Sequence, residues 1–337
     1  MSKNLLIVGP VIIDSKSSGG EGEKLYQVFK NEAYNVAKVS RFRNRFVRML
    51  DTIFYLIWNN RKYDLVVLMV FSGRAFVLET ISLIIGKLFR KKVIAVLHGG
   101  AFQDFYESNE RWCNKVFNNC DVIATPSKMI QKYLTERSFN IVYLPNFIDE
   151  RKFNITKRSV TANKLLWVRA FDDIYHPELI IEAMRILKEK NPKIHLTMIG
   201  PDKGLLKKCK DLISNYDLEG NIEILGFVPN DDLPAYYRNH NVFVNTTRFE
   251  SFGVCLVEAA SCGLPIVSVC VGEIPFVWEH NKNIKLTERN PIAFASEIFE
   301  LLENKMLSET ISRNASLLVE QYTWENVSFK WSDIIER

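Results

Sequence analysis

The chain has 337 residues, with 44 Lys and Arg against 39 Asp and Glu and a hydrophobic share of 47%; that length suits two domains of roughly 150 residues rather than one small core. The composition is that of a globular protein and excludes a disordered or low-complexity chain. Charge is uneven, since residues 1–152 hold 23 basic against 14 acidic groups (net +9) and the remainder 21 against 25 (net −4), so the first half is the one expected to meet an acidic partner or surface.

The chain opens Met-Ser-Lys-Asn-Leu-Leu-Ile-Val-Gly, an apolar run too short for a signal peptide that reads as the first strand of a sheet. Short, almost wholly apolar runs then recur at Leu5–Val8, Leu65–Phe71, Val93–Leu97, Val122–Ala124 and Ile141–Leu144. A second series follows at Leu165–Val168, Ile194–Ile199, Ile222–Leu225, Val242–Val244 and Ile266–Val269. Continuous rather than alternating hydrophobicity predicts parallel strands covered on both faces. Between them lie helical patterns such as Pro177–Lys190, where Ile180, Ile181, Met184 and Leu187 share one face. Strand–helix alternation in both halves predicts an α/β chain of two doubly wound, Rossmann-like domains. The expected boundaries are a first domain over 1–153, a polar linker over 154–164, a second domain over 165–317 and a last helix over 318–337. Ligands of such sheets bind at the carboxyl ends of strands, so a site is expected where two domains face across a cleft.

No uncharged apolar run approaches the roughly 18 residues of a membrane span. Cys113, Cys120, Cys209, Cys255, Cys262 and Cys270 form no C-x-x-C pair and show no ligand-like spacing with the five histidines. They read as buried thiols of a reducing compartment, with no metal site expected. The expected location is cytoplasmic, free or peripheral on the cytoplasmic face of a membrane.

The segment TTRFESFGVCLVEAASCGLPIVS, Thr246 to Ser268, sets Glu250 and Glu258 to either side of the turn Phe252-Gly253. A surface helix would scatter its acids on a polar face, with no glycine between them. This stretch resembles the retaining glycosyltransferases of family four, which have the GT-B architecture. Their signature is a glutamate, seven residues, a second glutamate, and an Ala-x-x-x-Gly-x-Pro-Ile/Val-Val run. The likeness extends to Leu225–Thr247 just upstream, to LPNFID (Leu144–Asp149), to TPSKMIQKYL and to the glycine after Leu196–Ile199. It is dense in the second half and looser in the first.

The resemblance implies that Glu258 accepts hydrogen bonds from a ribose diol, while Glu250 lies nearer the transferred sugar. Gly253 lets the backbone approach a ligand, and a helix starting near Val254 points free N–H groups at a pyrophosphate. Ser251, Phe252, Gly253 and Val254 thereby join the donor-binding set. Arg169, after the strand Leu165–Val168, matches an arginine that pairs with the donor diphosphate, a task suited to a planar guanidinium fork. The family's lysine about six residues later is missing, and Tyr175, His176 and Pro177 stand in that region. His176 reads as the residue before a helix whose first position is proline.

His98, at the end of the run VLHGG, matches a histidine beside the transferred sugar. Gly19 and Gly20 in SSGGEG resemble the family's glycine loop, although glycines suit a turn there in any case. In VCVGEIPFVW, Gly272, Glu273 and Pro275 match a donor-contacting loop, but a phenylalanine replaces its second acid.

The segment Arg41–Lys62 has six basic residues and one acid, Asp51. On a helical wheel Phe42, Phe46, Met49, Ile53 and Leu56 form one stripe and Arg41, Arg45 and Arg48 another. Two readings stand side by side: an amphipathic helix in the headgroup layer of an anionic membrane, and a core-packing helix with a solvated basic edge. No nucleic-acid motif accompanies the charge.

The resemblance therefore implies metal-independent transfer, with retention, from a nucleotide-diphosphate sugar to a hydroxyl of a saccharide or lipid-linked acceptor, in cell-surface glycan assembly. The second domain would hold the donor and the basic first domain the acceptor, with the last helix crossing back to the first. No cofactor is expected beyond the donor. The alternatives are a GT-B epimerase and a non-catalytic subunit that binds a nucleotide sugar.

Overall fold

The computed structural model describes residues 3–9, 20–32, 34–39, 42, 44–99, 101–154 and 163–336. Gly19, Arg41 and most of the expected linker lie outside them. The chain divides into two units, Met1–Asn146 with Ser328–Arg337, and Phe147–Val327.

The first unit alternates β1 (Leu5–Val8), α1 (Glu21–Asn31), β2 (Val36–Val39), α2 (Arg45–Trp58), β3 (Leu65–Phe71), α3 (Phe76–Leu88), β4 (Lys92–His98), α4 (Phe102–Ser108), α5 (Glu110–Phe117), β5 (Val122–Thr125), α6 (Lys128–Thr135) and β6 (Ile141–Tyr143). All six strands are parallel, in the order β2-β1-β3-β4-β5-β6. The order steps one way from β1 to β2 and the other way thereafter. Right-handed crossovers therefore put α2 and α3 on the same face of the sheet, where they pack against each other.

The second unit runs β7 (Lys164–Val168), α7 (Pro177–Lys190), β8 (His195–Ile199), α8 (Leu206–Asn215), β9 (Ile222–Gly226), α9 (Leu233–Arg238), β10 (Val242–Asn245), α10 (Val254–Ser261), β11 (Ile266–Val269), α11 (Ile274–Val277), β12 (Lys285–Thr287), α12 (Pro291–Glu303), α13 (Lys305–Val319) and α14 (Trp324–Glu336). Its parallel order is β12-β11-β10-β7-β8-β9. Ile180, Ile181, Met184 and Leu187 of α7 are buried in this unit's core with Leu165 and Trp167 of β7, so the stripe read from the sequence is the packed one.

The ten apolar runs all appear as strands. The two strands without such a run, β2 and β12, lie at sheet edges. Only Val39 of β2 is buried, and β12 has three residues. β2 is little covered, and β12 buries the polar residues Lys285 and Thr287, so neither shows a continuous apolar run.

The change of unit falls at Asn146/Phe147, ahead of residue 153 where the first domain was expected to end. Packing accounts for it. Phe147 meets Trp324 edge-on at 4.8 Å, the Ile148 amide donates to the Tyr322 carbonyl at 3.0 Å, and Phe153 lies on Tyr237 at 6.0 Å. The end of α14, Ser328 onward, belongs to the first unit. There Trp331 meets Phe29 at 5.4 Å, and Lys3 and Lys92 donate to the carbonyls of Ile335 and Ile334. These ammonium groups sit at a helix C-terminus, where the backbone dipole favours positive charge.

Four of the six cysteines are buried, but Cys120 is half-buried and Cys270, just past β11, is exposed. Among the described residues no group of His, Cys, Asp and Glu could hold a metal ion, and no helix is long and apolar enough to cross a membrane.

Candidate functional site

In the second unit the loop after β10 is stitched to the loop after β7. The Trp167 indole donates to Thr246 Oγ1 at 2.9 Å, and the Thr246 hydroxyl passes a hydrogen bond to the Tyr175 carbonyl at 2.7 Å. The Thr247 hydroxyl and the Arg248 amide both reach the Ile174 carbonyl. This stitching brings together the residues that follow the two strands. Arg169 Nη2 donates to Glu250 Oε2 in a largely buried ion pair. The guanidinium also lies 5.0 Å from the centre of the Tyr175 ring, within the range of a cation–π contact. Burial works against its charge, yet the Cys255 thiol, Glu250 and Tyr175 hold its pKa above the ordinary arginine value. Its Nε is buried without a hydrogen-bond partner, a donor still free for an anion.

Gly253 heads α10 with φ +85°, a left-handed conformation that L side chains rarely adopt. No side chain caps this helix; the Leu256 and Val257 amides donate to the Gly253 carbonyl, which leaves the Val254 and Cys255 amides at the helix start for an acceptor. Glu258, on the second turn, is buried and accepts from the Tyr237 hydroxyl at 3.0 Å. Burial, and after it Glu258, pushes the Tyr237 phenol well above its usual range, so that phenol remains a donor. The two carboxylates thus have different companions, a guanidinium for Glu250 and a neutral phenol for Glu258.

The loop after β11 fixes Glu250 from behind. The Glu273 amide donates to the Glu250 carbonyl at 2.8 Å. Gly272 lies so close that a Cβ there would sit 2.2 Å from that same oxygen. Glu273 is buried, whereas Pro275 and Phe276, the latter in the place of the second acid, are exposed. Ser251 donates its amide to Glu250 Oε1 at 3.2 Å. Phe252 turns its ring into the core against Tyr322, which leaves only its backbone for a ligand. Val254 opens α10.

His176 caps α7 with φ +45° ahead of Pro177. Burial and the neighbouring Arg248 lower its pKa, so it is a neutral ring at a helix start and no substitute for the missing lysine.

In the first unit, Gly20 is the N-cap of α1. His98 ends β4, buried, with its ring stacked on Phe71 at 5.3 Å. Burial pushes its pKa down to about 4, against the pull of Glu21 in α1, and its Nε2 has no hydrogen-bond partner. It is a neutral imidazole at the carboxyl edge of the sheet.

The stripe expected on α2 divides. Leu56 is buried and Met49 and Ile53 are half-buried, but Phe46 and Phe42 point outward. Arg45 begins the helix and Arg48 is half-buried. The helix is apolar nearly all round, so one apolar stripe does not define which side packs.

The sequence reading missed Tyr175 and Tyr237. Tyr237 acts on a glutamate 21 residues away on another helix, and Tyr175 on an arginine six residues back in an irregular loop, and neither spacing follows a helix or strand period.

Two parallel six-stranded sheets with helices on their faces define an α/β protein of the GT-B class. The chain belongs to the family of glycosyl transferases group 1, whose sequence model matches residues 148–317, half of the chain. Among solved structures it is similar to the Anabaena protein HepE in complex with UDP and glucose, at 17% identity and a TM-score of 0.79 over 99% of both chains. It is also similar to sucrose-phosphate synthase of Thermosynechococcus elongatus, at 15% identity and a TM-score of 0.78 over 99% and 98%. An uncharacterised glycosyltransferase of Methanocaldococcus jannaschii is 28% identical over 62% of this chain and 54% of its own. A D-inositol 3-phosphate glycosyltransferase of Streptomyces bingchenggensis is 25% identical over 47% of this chain and 37% of its own. The chain thus spans about half or less of these curated relatives.

Proposed function

We propose that this protein transfers a sugar, with retention of configuration, from a nucleotide-diphosphate sugar to a hydroxyl of a saccharide or lipid-linked acceptor in cell-surface glycan assembly. The observation that carries the reading is the placement of Glu250 and Glu258 to either side of the uncapped helix start at Gly253, with Arg169 on Glu250. Glu258 takes the ribose diol. The α10 amides and Arg169 face the diphosphate and stabilise the charge that develops as it leaves. Glu250 takes hydroxyls of the transferred sugar. The bond from the anomeric carbon to the diphosphate oxygen breaks as the acceptor oxygen bonds on the same face, and the acceptor proton passes to the leaving phosphate. Positive charge supplied by Arg169 and the helix start makes the step metal-independent. In the first unit His98 offers a neutral ring nitrogen to a sugar hydroxyl. The basic first unit receives the acceptor at the cytoplasmic face of an anionic membrane. The UDP bound by HepE makes UDP and UDP-glucose the first probes.

The test is thermal stabilisation by a panel of nucleotide sugars, since a ligand that binds only the native state raises the melting temperature. A turnover assay follows, with NMR of the product's anomeric configuration. Nucleoside diphosphate released only when acceptor is present supports transfer, and an inverted product rejects retention. Tyr175 in the region of the missing lysine favours one other reading, a subunit that binds the donor without turnover. Stabilisation with no product from any acceptor supports that reading.

A further inference from the structure

The outward face of α2 carries no charge. At 100° per residue, Phe46, Val47, Leu50, Phe54, Ile57 and Trp58 fall within one arc of about 120°, and every one is exposed: Phe46 75%, Leu50 64%, Phe54 58% and Trp58 73%. Thr52 and Leu56, on the opposite side, are fully buried. Phe54 and Trp58 stack at 4.6 Å and so present one broad aromatic surface. The neighbouring α3 repeats the arrangement, with Val77, Ile84 (60%) and Leu88 (75%) outward along a single stripe. Two helices packed side by side on one face of the sheet thus carry exposed apolar side chains in adjacent stripes, the kind of grouping that marks a protein or membrane interaction site.

The sequence segments that carry these two helices are basic, with Arg41 and Arg43 outside the described residues. Residues 41–62 hold Arg41, Arg43, Arg45, Arg48, Arg61 and Lys62 against Asp51. Residues 72–92 add Arg74, Arg90 and Lys91 against Glu79, which is buried, while Lys87 is paired with Asp121 and Lys92 donates to carbonyls of α14. A second copy of the chain related by a two-fold axis would bring these basic segments against each other. An anionic bilayer attracts them and has an acyl boundary for the aromatic rings. The 14 residues of α2 span about 21 Å, short of the roughly 30 Å hydrocarbon core, so the helix lies along the interface and does not cross it.

We propose that the outward faces of α2 and α3 are a membrane-docking surface, which sinks Phe46, Leu50, Phe54, Ile57, Trp58 and Ile84 into the headgroup–acyl boundary of an anionic bilayer. This sharpens the membrane reading above: apolar insertion does the anchoring, and the arginines select the lipid. It rests on the proposed transfer reaction for its purpose but not for its measurement.

The experiment is co-sedimentation of the full chain with vesicles of phosphatidylglycerol and phosphatidylcholine, and with phosphatidylcholine alone. Quenching of tryptophan emission by brominated acyl chains is read alongside. The wild type is expected to bind the anionic vesicles, with quenching lost in Trp58→Phe. The Leu50→Glu/Phe54→Glu variant is expected to lose at least roughly tenfold in partitioning while keeping its melting temperature and its response to UDP. Since those side chains are solvent-exposed, that pair of controls separates loss of docking from misfolding. No binding to anionic vesicles, unchanged binding by the double variant, or binding abolished by salt with no quenching each overturns the proposal. So does a concentration-dependent dimer that the double variant dissolves, because the face would then belong to a second copy. UDP binding with no vesicle binding rejects the docking surface and leaves the transfer reaction standing; vesicle binding without a nucleotide response does the reverse.

Discussion

Arg169 and Glu250 neutralise each other in the second unit, through a hydrogen-bonded ion pair between residues 81 apart in the chain. The cation proposed for the diphosphate is therefore already engaged, and donor binding must share or replace that bond. Glu250→Gln keeps the shape and releases the guanidinium. Nucleoside diphosphate is expected to bind as tightly as to wild type or several-fold tighter, while turnover falls by roughly 100-fold or more. Calorimetry with UDP and steady-state rates measure the two arms, and undiminished turnover removes Glu250 from the chemistry. Arg169→Ala leaves a buried carboxylate unpaired and is expected to cost about 3–5 kcal/mol of stability as well as diphosphate binding.

Glu258 answers to a different measurement. Its carboxylate is held by the Tyr237 hydroxyl at 3.0 Å and is assigned to the ribose. Hydrogen bonds to a charged group are worth roughly 1.5–3 kcal/mol, so Glu258→Ala is expected to weaken nucleotide binding by about 10- to 100-fold. Tyr237→Phe loosens the carboxylate without removing it, and a loss of only a few-fold is expected. Wild-type nucleotide affinity in Glu258→Ala would sink the ribose assignment.

Gly272 is where the fold leaves no room. A Cβ would meet the Glu250 carbonyl at 2.2 Å and its amide nitrogen at 2.9 Å, and φ is +55°. Gly272→Ala is expected to cost roughly 1–3 kcal/mol and to weaken donor binding by shifting Glu250. Gly220→Ala is the control, since nothing lies within 4 Å of a Cβ there. Equal melting temperatures for the two variants would show that the loop after β11 does not hold Glu250.

How much of this could be read in the chain depends on whether a residue's partner is local. The central strands were legible because both their faces are covered and their apolar runs are continuous, the edge strand β9 by its apolar residues although Glu223 and Leu225 are exposed, and α7 because its stripe has helical spacing. Gly253 was legible as a turn glycine between two unusual acids, and Gly272 only as part of a matched loop, its close approach to Glu250 being visible in the structure alone. The Arg169–Glu250 bond and the Tyr237–Glu258 contact were not, because each joins segments that meet only in the folded unit, and the Tyr175 ring beneath that cation was not, because a six-residue spacing in an irregular loop follows no regular period. The outward face of α2 failed for another reason. Apolar residues surround the helix, so periodicity alone could not tell the packed side from the exposed one.

Glu79 gives the fold a pH dependence whose sign can be worked out. Its carboxyl is buried at the start of α3, with Oε1 accepting the Phe71 amide at 3.0 Å and Oε2 lacking a partner. Burial pushes its pKa up to about 8, against the lowering effects of the Phe71 amide and Arg48. A carboxyl whose folded pKa lies above its unfolded one contributes stability that is complete below pH 4.5. That contribution is lost as pH rises toward 8, on the order of 3 kcal/mol between pH 5 and 8. His98 has the opposite sign. Its pKa is lowered from 6.5 to about 4, so its contribution is present above pH 6.5 and lost as pH falls through 4. Glu79→Gln keeps an acceptor for the Phe71 amide and removes the titration. The melting temperature of the wild type is expected to fall by several degrees between pH 6 and 8.5, and that of Glu79→Gln to stay level over the same range. Parallel curves for the two proteins would mean that Glu79 is already ionised at neutral pH, and its burial would then require a cationic partner.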